Sequence, residues 1–130
     1  MKESVKYWIE MADYDIDVAK AMLQTGKYLY VGFMCHQTIE KALKAMIARD
    51  CADDEIPPKI HNLQKLSEKA NLFDNMSDEQ KNTIAQLNPL NVEARYPEYK
   101  NRIAENLSDT LCQKLILEAE ELLCWIKQQL

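Results

Sequence analysis

Only two glycines and four prolines punctuate the 130 residues. Turns draw heavily on these two residue types, so their scarcity argues against many short elements and predicts few, long ones joined by few loops. Valine is sparse as well, against abundant Ala, Leu, Met, Glu, Lys and Gln, all good helix formers. No C-x-x-C pair occurs among Cys35, Cys51, Cys112 and Cys124, and each lies in or beside a helical pattern. They read as reduced, partly buried thiols of a cytoplasmic protein. The segment Met1 to Tyr14 mixes Lys, Glu and Asp with apolar residues, which predicts no signal peptide. No run of about 18 apolar residues exists, which predicts no membrane span. The phosphate-binding G-x-x-x-x-G-K, the G-x-G-x-x-G and the G-x-S-x-G patterns are missing. So is the G-S followed by D-x-D of nucleotidyltransferases. Positive charge is in deficit, with 16 Lys and Arg against 21 Asp and Glu, a net −5. Such a chain is not drawn to nucleic acid by overall field, so any anion site must be local.

Apolar residues make up 47% of the chain, enough for one domain over residues 1–130 that buries about two thirds of its unfolded surface without metal or disulfide. Val5, Trp8, Ala12, Ile16 (or Asp15), Ala19 and Leu23 recur at helical steps, predicting a first helix from Ser4, its N-cap, to Gln24, closed by Gly26. A second helix is expected over Tyr28 to Asp50, striped by Tyr28, Gly32, Cys35, Ile39, Leu43 and Met46. Gly32 leaves room there for close approach of the first helix. A linker of about three residues makes the two antiparallel. An acidic loop from Cys51 to Ile60 carries Asp53, Asp54 and Glu55 and ends in Pro57-Pro58. A short helix follows from Asn62 to Asn71. Ser77 and Gln80 form a capping box for a fourth helix that stops near Leu87, ahead of Pro89. Residues 88–106 read as irregular with one turn at most. The last helix, Asp109 to Leu130, has a stripe of Leu111, Leu115, Ala119, Leu122 and Ile126, broadened by Cys112, Ile116, Leu123 and Trp125. That breadth predicts burial on more than one side and a partner surface.

Four features bear on chemistry. The segment from Glu93 to Arg102 sets Arg95, Lys100 and Arg102 among Tyr96 and Tyr99, a positive aromatic island in an acidic chain. Arg offers a planar fork for phosphate and Tyr a stacking face for a base. The other reading is a loop pinned by an Arg–carboxylate pair with packed tyrosines. On the second helix Gln37, Glu40, Lys41 and Lys44 share one face, with Glu40 and Lys44 spaced for an ion pair. That face is either a solvated, salt-bridged surface or the wall of a polar groove opposite the Arg95 loop. His36 and Glu40 lie one turn apart, but no E-x-x-H pair or second ligand set accompanies them, so no metal or other cofactor is expected; His61 orients the start of the third helix. Asp15 falls by the apolar stripe and needs a buried partner, Arg95 or a lysine of the second helix.

The stretch Ala12-Asp13-Tyr14-Asp15-Ile16 with Ala19, then Gly26-Lys27-Tyr28 and Phe33 through Ala45, resembles the first two helices of HEPN domains. Pro58, His61, Asn62 and Leu63 match the family's "tHdL" lead-in to the third helix. Ala94-Arg95-Tyr96-Pro97 is similar to the "aRYP" loop of one prokaryotic subgroup. The resemblance covers nearly the whole chain. It implies an all-α, up-and-down bundle of four long helices plus one short helix, usually a homodimer, similar to the substrate-binding domain of kanamycin nucleotidyltransferase. It also implies a minimal nucleotidyltransferase as partner, sometimes in a toxin–antitoxin pair. Toxin members of the family are metal-independent ribonucleases with R-x(4–6)-H at a dimer cleft. Here the histidine positions hold Lys100, Asn101 and Arg102 after Arg95, Leu107, Ser108 and Asp109 after Arg102, and Asp54, Glu55 and Ile56 after Arg49. A general acid/base with pKa near 7 is missing from the expected place.

The expectation is therefore a binding module with no catalytic residues. Arg95 contacts the phosphate of a nucleotide or RNA, Tyr96 or Tyr99 stacks, Lys41 and Lys44 add charge, and Gln37, Glu40 and Asp15 complete the groove. The alternatives are a ribonuclease using His36 or His61 as an atypical base, and a purely structural partner without a small ligand.

Overall fold

The punctuation in the sequence is where the helices stop. Helix α1 (Glu3–Gln24) ends through Gly26, whose φ of +73° lies in the left-handed region that glycine enters without steric strain. The Gly26 N–H reaches the Leu23 carbonyl at 3.1 Å and the Lys27 N–H reaches the Met22 carbonyl at 2.8 Å, the two bonds of a Schellman end. Ser4 was expected at the N-cap, but the cap lies two residues earlier, at Lys2. A lysine side chain only donates, so it caps nothing there. It turns instead to helix α2 (Tyr28–Asp50), donating to the Cys51 carbonyl at 2.5 Å, beside the negative end of that helix.

The computed structural model describes residues 1–52, 55–92 and 96–130. Helix α3 (Leu63–Lys69) is capped by Asn62, whose Oδ1 accepts the Lys65 N–H at 3.0 Å. It closes on a second Schellman end, with Asn71 at φ 58° in glycine's place. Helix α4 (Asp78–Leu87) opens on the expected capping box: Gln80 N–H to Ser77 Oγ, 3.1 Å, and Ser77 N–H to Gln80 Oε1, 2.8 Å. A single 3-10 turn, Asn88–Leu90, follows it. The segment read as irregular contains a ten-residue helix, α5 (Pro97–Asn106). The proline there opens the helix instead of preventing it, because its missing N–H falls where a helix has no internal acceptor for it. Helix α6 (Asp109–Gln128) is capped by Ser108.

Cross-chain contacts give the directions. Lys2, Val5 and Trp8 of the early chain meet Lys44, Ala45 and Ala48 late in α2, so α1 and α2 are antiparallel. Ion pairs Asp13–Lys127 and Lys20–Glu120 set α6 antiparallel to α1. Thr83 and Glu118 meet across α4 and α6, while one cavity joins Ser77 to Leu122 and another joins Gln86 to Leu111, so these two are antiparallel as well. The result is an all-α, up-and-down bundle of α1, α2, α4 and α6, with α3 and α5 as additions; α4 and α5 have ten residues each, so only α1, α2 and α6 are long. Helix α2 is its axis, touching α1, α3, α4, α5 and α6. It is buried nearly all round, which is why the core runs through Ile39, Leu43 and Met46. The broad stripe of α6 is met inside the chain by α1, α2 and α4. Gly32 does not face α1: a Cβ there would stand 3.1 Å from Leu90 Cδ1, so the missing side chain admits the turn after α4.

Candidate functional site

The polar face predicted on α2 exists, but it turns inward. Glu40 is 4% exposed and Lys44 6%, because α1 and the lead-in to α3 cover them. A solvated face is thus corrected to a buried one. Desolvating a carboxylate is expensive unless its charge is matched and its oxygens are hydrogen-bonded. Glu40 meets both conditions: Lys44 Nζ lies 3.0 Å from Oε2, and His61 Nδ1 lies 3.0 and 3.1 Å from its two oxygens. Since a carboxylate only accepts, the proton of neutral His61 sits on Nδ1, leaving Nε2 on the far side of a ring that is 59% exposed. Lys44 also lies 5.7 Å from the Trp8 ring centre, a cation–π contact.

His36 is fully buried behind this pair. Its Nε2 lies 3.1 Å from the His61 carbonyl, which only accepts, so Nε2 is the protonated nitrogen. The Gln37 amide then donates to Nδ1 over 3.4 Å. The 3.8 Å from His36 Nδ1 to Glu40 is too long for a hydrogen bond. Together the two imidazoles lock the chain ahead of α3 onto α2, the orienting role expected of His61. Asp15, 3% exposed, finds its partner in Lys41 at 2.5 Å. Of the two candidates named from the sequence, the lysine of α2 is in contact; Arg95 lies outside the described residues.

Arg95, with Glu93 and Ala94, lies outside the described residues. Tyr96 stands at the N-cap position of α5, its side chain making no capping bond, and is 86% exposed. Tyr99, one turn on, borders an apolar cavity of about 310 Å³ with Leu90, Ile103, Leu107, Leu111 and Leu115. None of the residues around that cavity comes from the Gln37–Lys44 face. Lys41 and Lys44 each have a carboxylate of their own, so the charge expected from them in a groove is compensated inside the chain. A second cavity, about 470 Å³ and also bordered by Pro89, is lined by His61, Asn62 and Gln64 from the start of α3 and by Asn88 and Asn91 from the end of α4 and beyond. The sequence reading missed this cavity and the Glu40–His61 contact. The one signal available was the pairing of the tHdL resemblance with a glutamate on the second helix.

All four thiols are free. Burial pushes the Cys35 thiol up to about 12 and the Cys112 thiol up to about 11. No group of three or more metal-ligating side chains forms among the described residues. No helix there is long and apolar enough to cross a membrane.

A family model described as HEPN domain matches residues 5–129. Among solved structures, the chain is similar to TT1696 from Thermus thermophilus, at 18% identity and a TM-score of 0.82, over 99% of this chain and 100% of that one. It is also similar to ST0689, an archaeal HEPN homologue, at 24% identity and a TM-score of 0.74, over 99% of this chain and 98% of the other. A search of curated proteins gave no match.

Proposed function

The chain belongs to the HEPN domain family, and from that premise we propose that it is a nucleotide-binding or partner module, the substrate-binding subunit of a minimal nucleotidyltransferase, acting as a homodimer. The observation that carries this reading is the placement of the tyrosines. Tyr96 stands almost wholly in solvent directly after Arg95, and Tyr99 borders an apolar cavity one turn away. A base stacked on such a ring is worth about 1–3 kcal/mol, and the Arg95 guanidinium takes the phosphate. In this reading Glu40, Lys41, Lys44 and Asp15 are framework that holds α2 against α1 and the lead-in to α3, Gln37 supports His36 from the same helix, and none of the five touches ligand. Calorimetric titration with ATP and GTP tests it on wild type, Arg95→Ala and Tyr96→Ala. Both variants are expected to bind more weakly. Equal affinity in all three removes the loop from the role, and no binding by wild type, alone or with a nucleotidyltransferase, removes the function.

A ribonuclease is the second reading, and one observation favours it. The carboxylate of Glu40 behind Nδ1 points the other nitrogen of His61 outward, as a general base requires. His36, wholly buried, does not reach an RNA strand. Cleavage of labelled RNA by wild type that is lost in His61→Ala supports this activity; RNA left intact by wild type dismisses it.

A further inference from the structure

The cavity beside Pro89 has an unusual lining for so acidic a chain. Its polar walls are His61, Asn62, Gln64, Asn88 and Asn91, with no carboxylate among its described residues. Two of the carboxamides have a fixed orientation. Asn62 Oδ1 accepts the Lys65 N–H at 3.0 Å, and Asn88 Oδ1 accepts the Leu63 N–H at 2.9 Å. A backbone N–H only donates, so the atom it meets is the oxygen, and each amide nitrogen is turned the other way. Neither nitrogen has a partner among the described residues. Capping α3 therefore leaves the NH₂ groups as the uncommitted donors of two side chains that line one cavity. His61 adds a third group at the same place. Its Nδ1 is held by Glu40, so a protonated ring presents Nε2–H outward, with the charge of the ring balanced from behind. The backbone N–H groups of Leu63 and Lys65 are already taken, so the donors are side chains and not the helix end.

From this geometry we infer that the cavity is an anion subsite for the phosphoryl group of a small phosphate ester, held by the Asn62 and Asn88 amide nitrogens, with His61 Nε2 as a third donor when the ring is protonated. Convergent donors without a competing acceptor charge suit a group that offers several acceptor oxygens and no donors. A cavity of about 470 Å³ has room for more than the phosphoryl group itself. The inference deepens the nucleotide reading by assigning a place for a phosphate away from Arg95, and it is separable from that reading by experiment.

Asparagine-to-aspartate exchange isolates the donors. Asn62→Asp and Asn88→Asp keep an oxygen for the Lys65 and Leu63 N–H groups, so α3 stays capped, but they set an anionic oxygen where the NH₂ pointed. Wild type titrated with inorganic phosphate and with AMP, followed by side-chain amide NMR, is expected to show saturable shifts of the Asn62 and Asn88 NH₂ signals. Either aspartate variant is expected to keep the wild-type melting temperature and to lose at least about tenfold in affinity for both probes, since a donor to the anion becomes a repelling charge. AMP bound more tightly than phosphate identifies the ester as the ligand; equal affinity limits the site to the free ion and overturns the ester assignment. Aspartate variants that bind like wild type overturn the subsite, as does absence of saturable binding to both probes. Arg95→Ala separates the two readings. It is expected to leave inorganic phosphate affinity unchanged, so loss of phosphate binding in that variant places the anion at the loop and refutes this site.

Discussion

Replacing Glu40 with alanine removes the carboxylate that lies 3.0 Å from Lys44 Nζ and leaves the lysine in place, its side chain 8% exposed. The ammonium then has the face of Trp8 at 5.7 Å, a contact worth about 0.5–2 kcal/mol, but no carboxylate among the described residues within ion-pair reach. Breaking a buried pair from one side costs about 3–5 kcal/mol, because a desolvated charge is left uncompensated. The His61 end of the network adds little, since that ring is largely in water and exchanges its partner for solvent. For a domain of this size the loss lowers the melting temperature by roughly 10–20 °C. Replacing both ends, Glu40→Leu with Lys44→Met, removes the charge and fills the space with apolar atoms. Such replacements are often neutral or stabilising, by about 1–4 kcal/mol in the favourable cases. Urea denaturation at neutral pH followed by circular dichroism measures both, and the single variants complete a double-mutant cycle. A Glu40→Ala loss below about 1 kcal/mol, or a double variant as unstable as the worse single one, would show that this pair is solvated and that the buried-network account is mistaken.

Further outcomes follow from other parts of the bundle. Asp15→Ala is expected to cost less than Glu40→Ala, about 1–3 kcal/mol by the same denaturation assay, because the Lys41 left behind is 20% exposed and reaches water. Gly26→Ala is expected to lose about 1 kcal/mol, since φ +73° strains any residue with a Cβ; an unchanged midpoint contradicts the Schellman end. A thiol reagent titrated against the native protein is expected to modify exposed Cys124 first, and Cys35 and Cys112 only on unfolding, followed by peptide mass mapping. The folded thiols of Cys35 and Cys112 titrate near 12 and 11 against an ordinary 9.0. Their raised values contribute stability that is complete below about pH 9 and is lost as pH rises toward those values. Unfolding midpoints that stay level from pH 9 to pH 11 would contradict that burial.

Helix ends were the most legible part of the chain. Gly26, the Ser77–Gln80 box and Pro89 act through backbone groups a few residues away, so the sequence carries the whole interaction. Ser4 was misread for the same local reason: several polar residues near a terminus suit a cap, and packing chose among them. Helix α5 escaped because Ile103 is its one aliphatic residue larger than alanine and none of its residues is buried, so no periodicity announces it. Asp15 was readable as a buried carboxylate in need of a partner, Arg95 or a lysine of α2, since its position on the stripe is a property of one helix. The cavity beside Pro89 was not, because its walls come from residues well apart in the chain, Asn62 and Asn88 among them, joined only when α3 docks on the turn after α4.

By itself the sequence determined the helices other than α5, most of their limits and the family resemblance, because spacing and end-capping act within a turn or two of chain. Tertiary structure alone decided what the polar residues of α2 are for. A helical period places Gln37, Glu40, Lys41 and Lys44 on one face, but whether that face meets water or other helices depends on where α1 and α3 dock. Once docked, they exclude solvent, and an unmatched charge there costs more than the fold can spare. Glu40 therefore meets both Lys44 and His61, and the outward side of that same histidine is set beside the amides that cap α3.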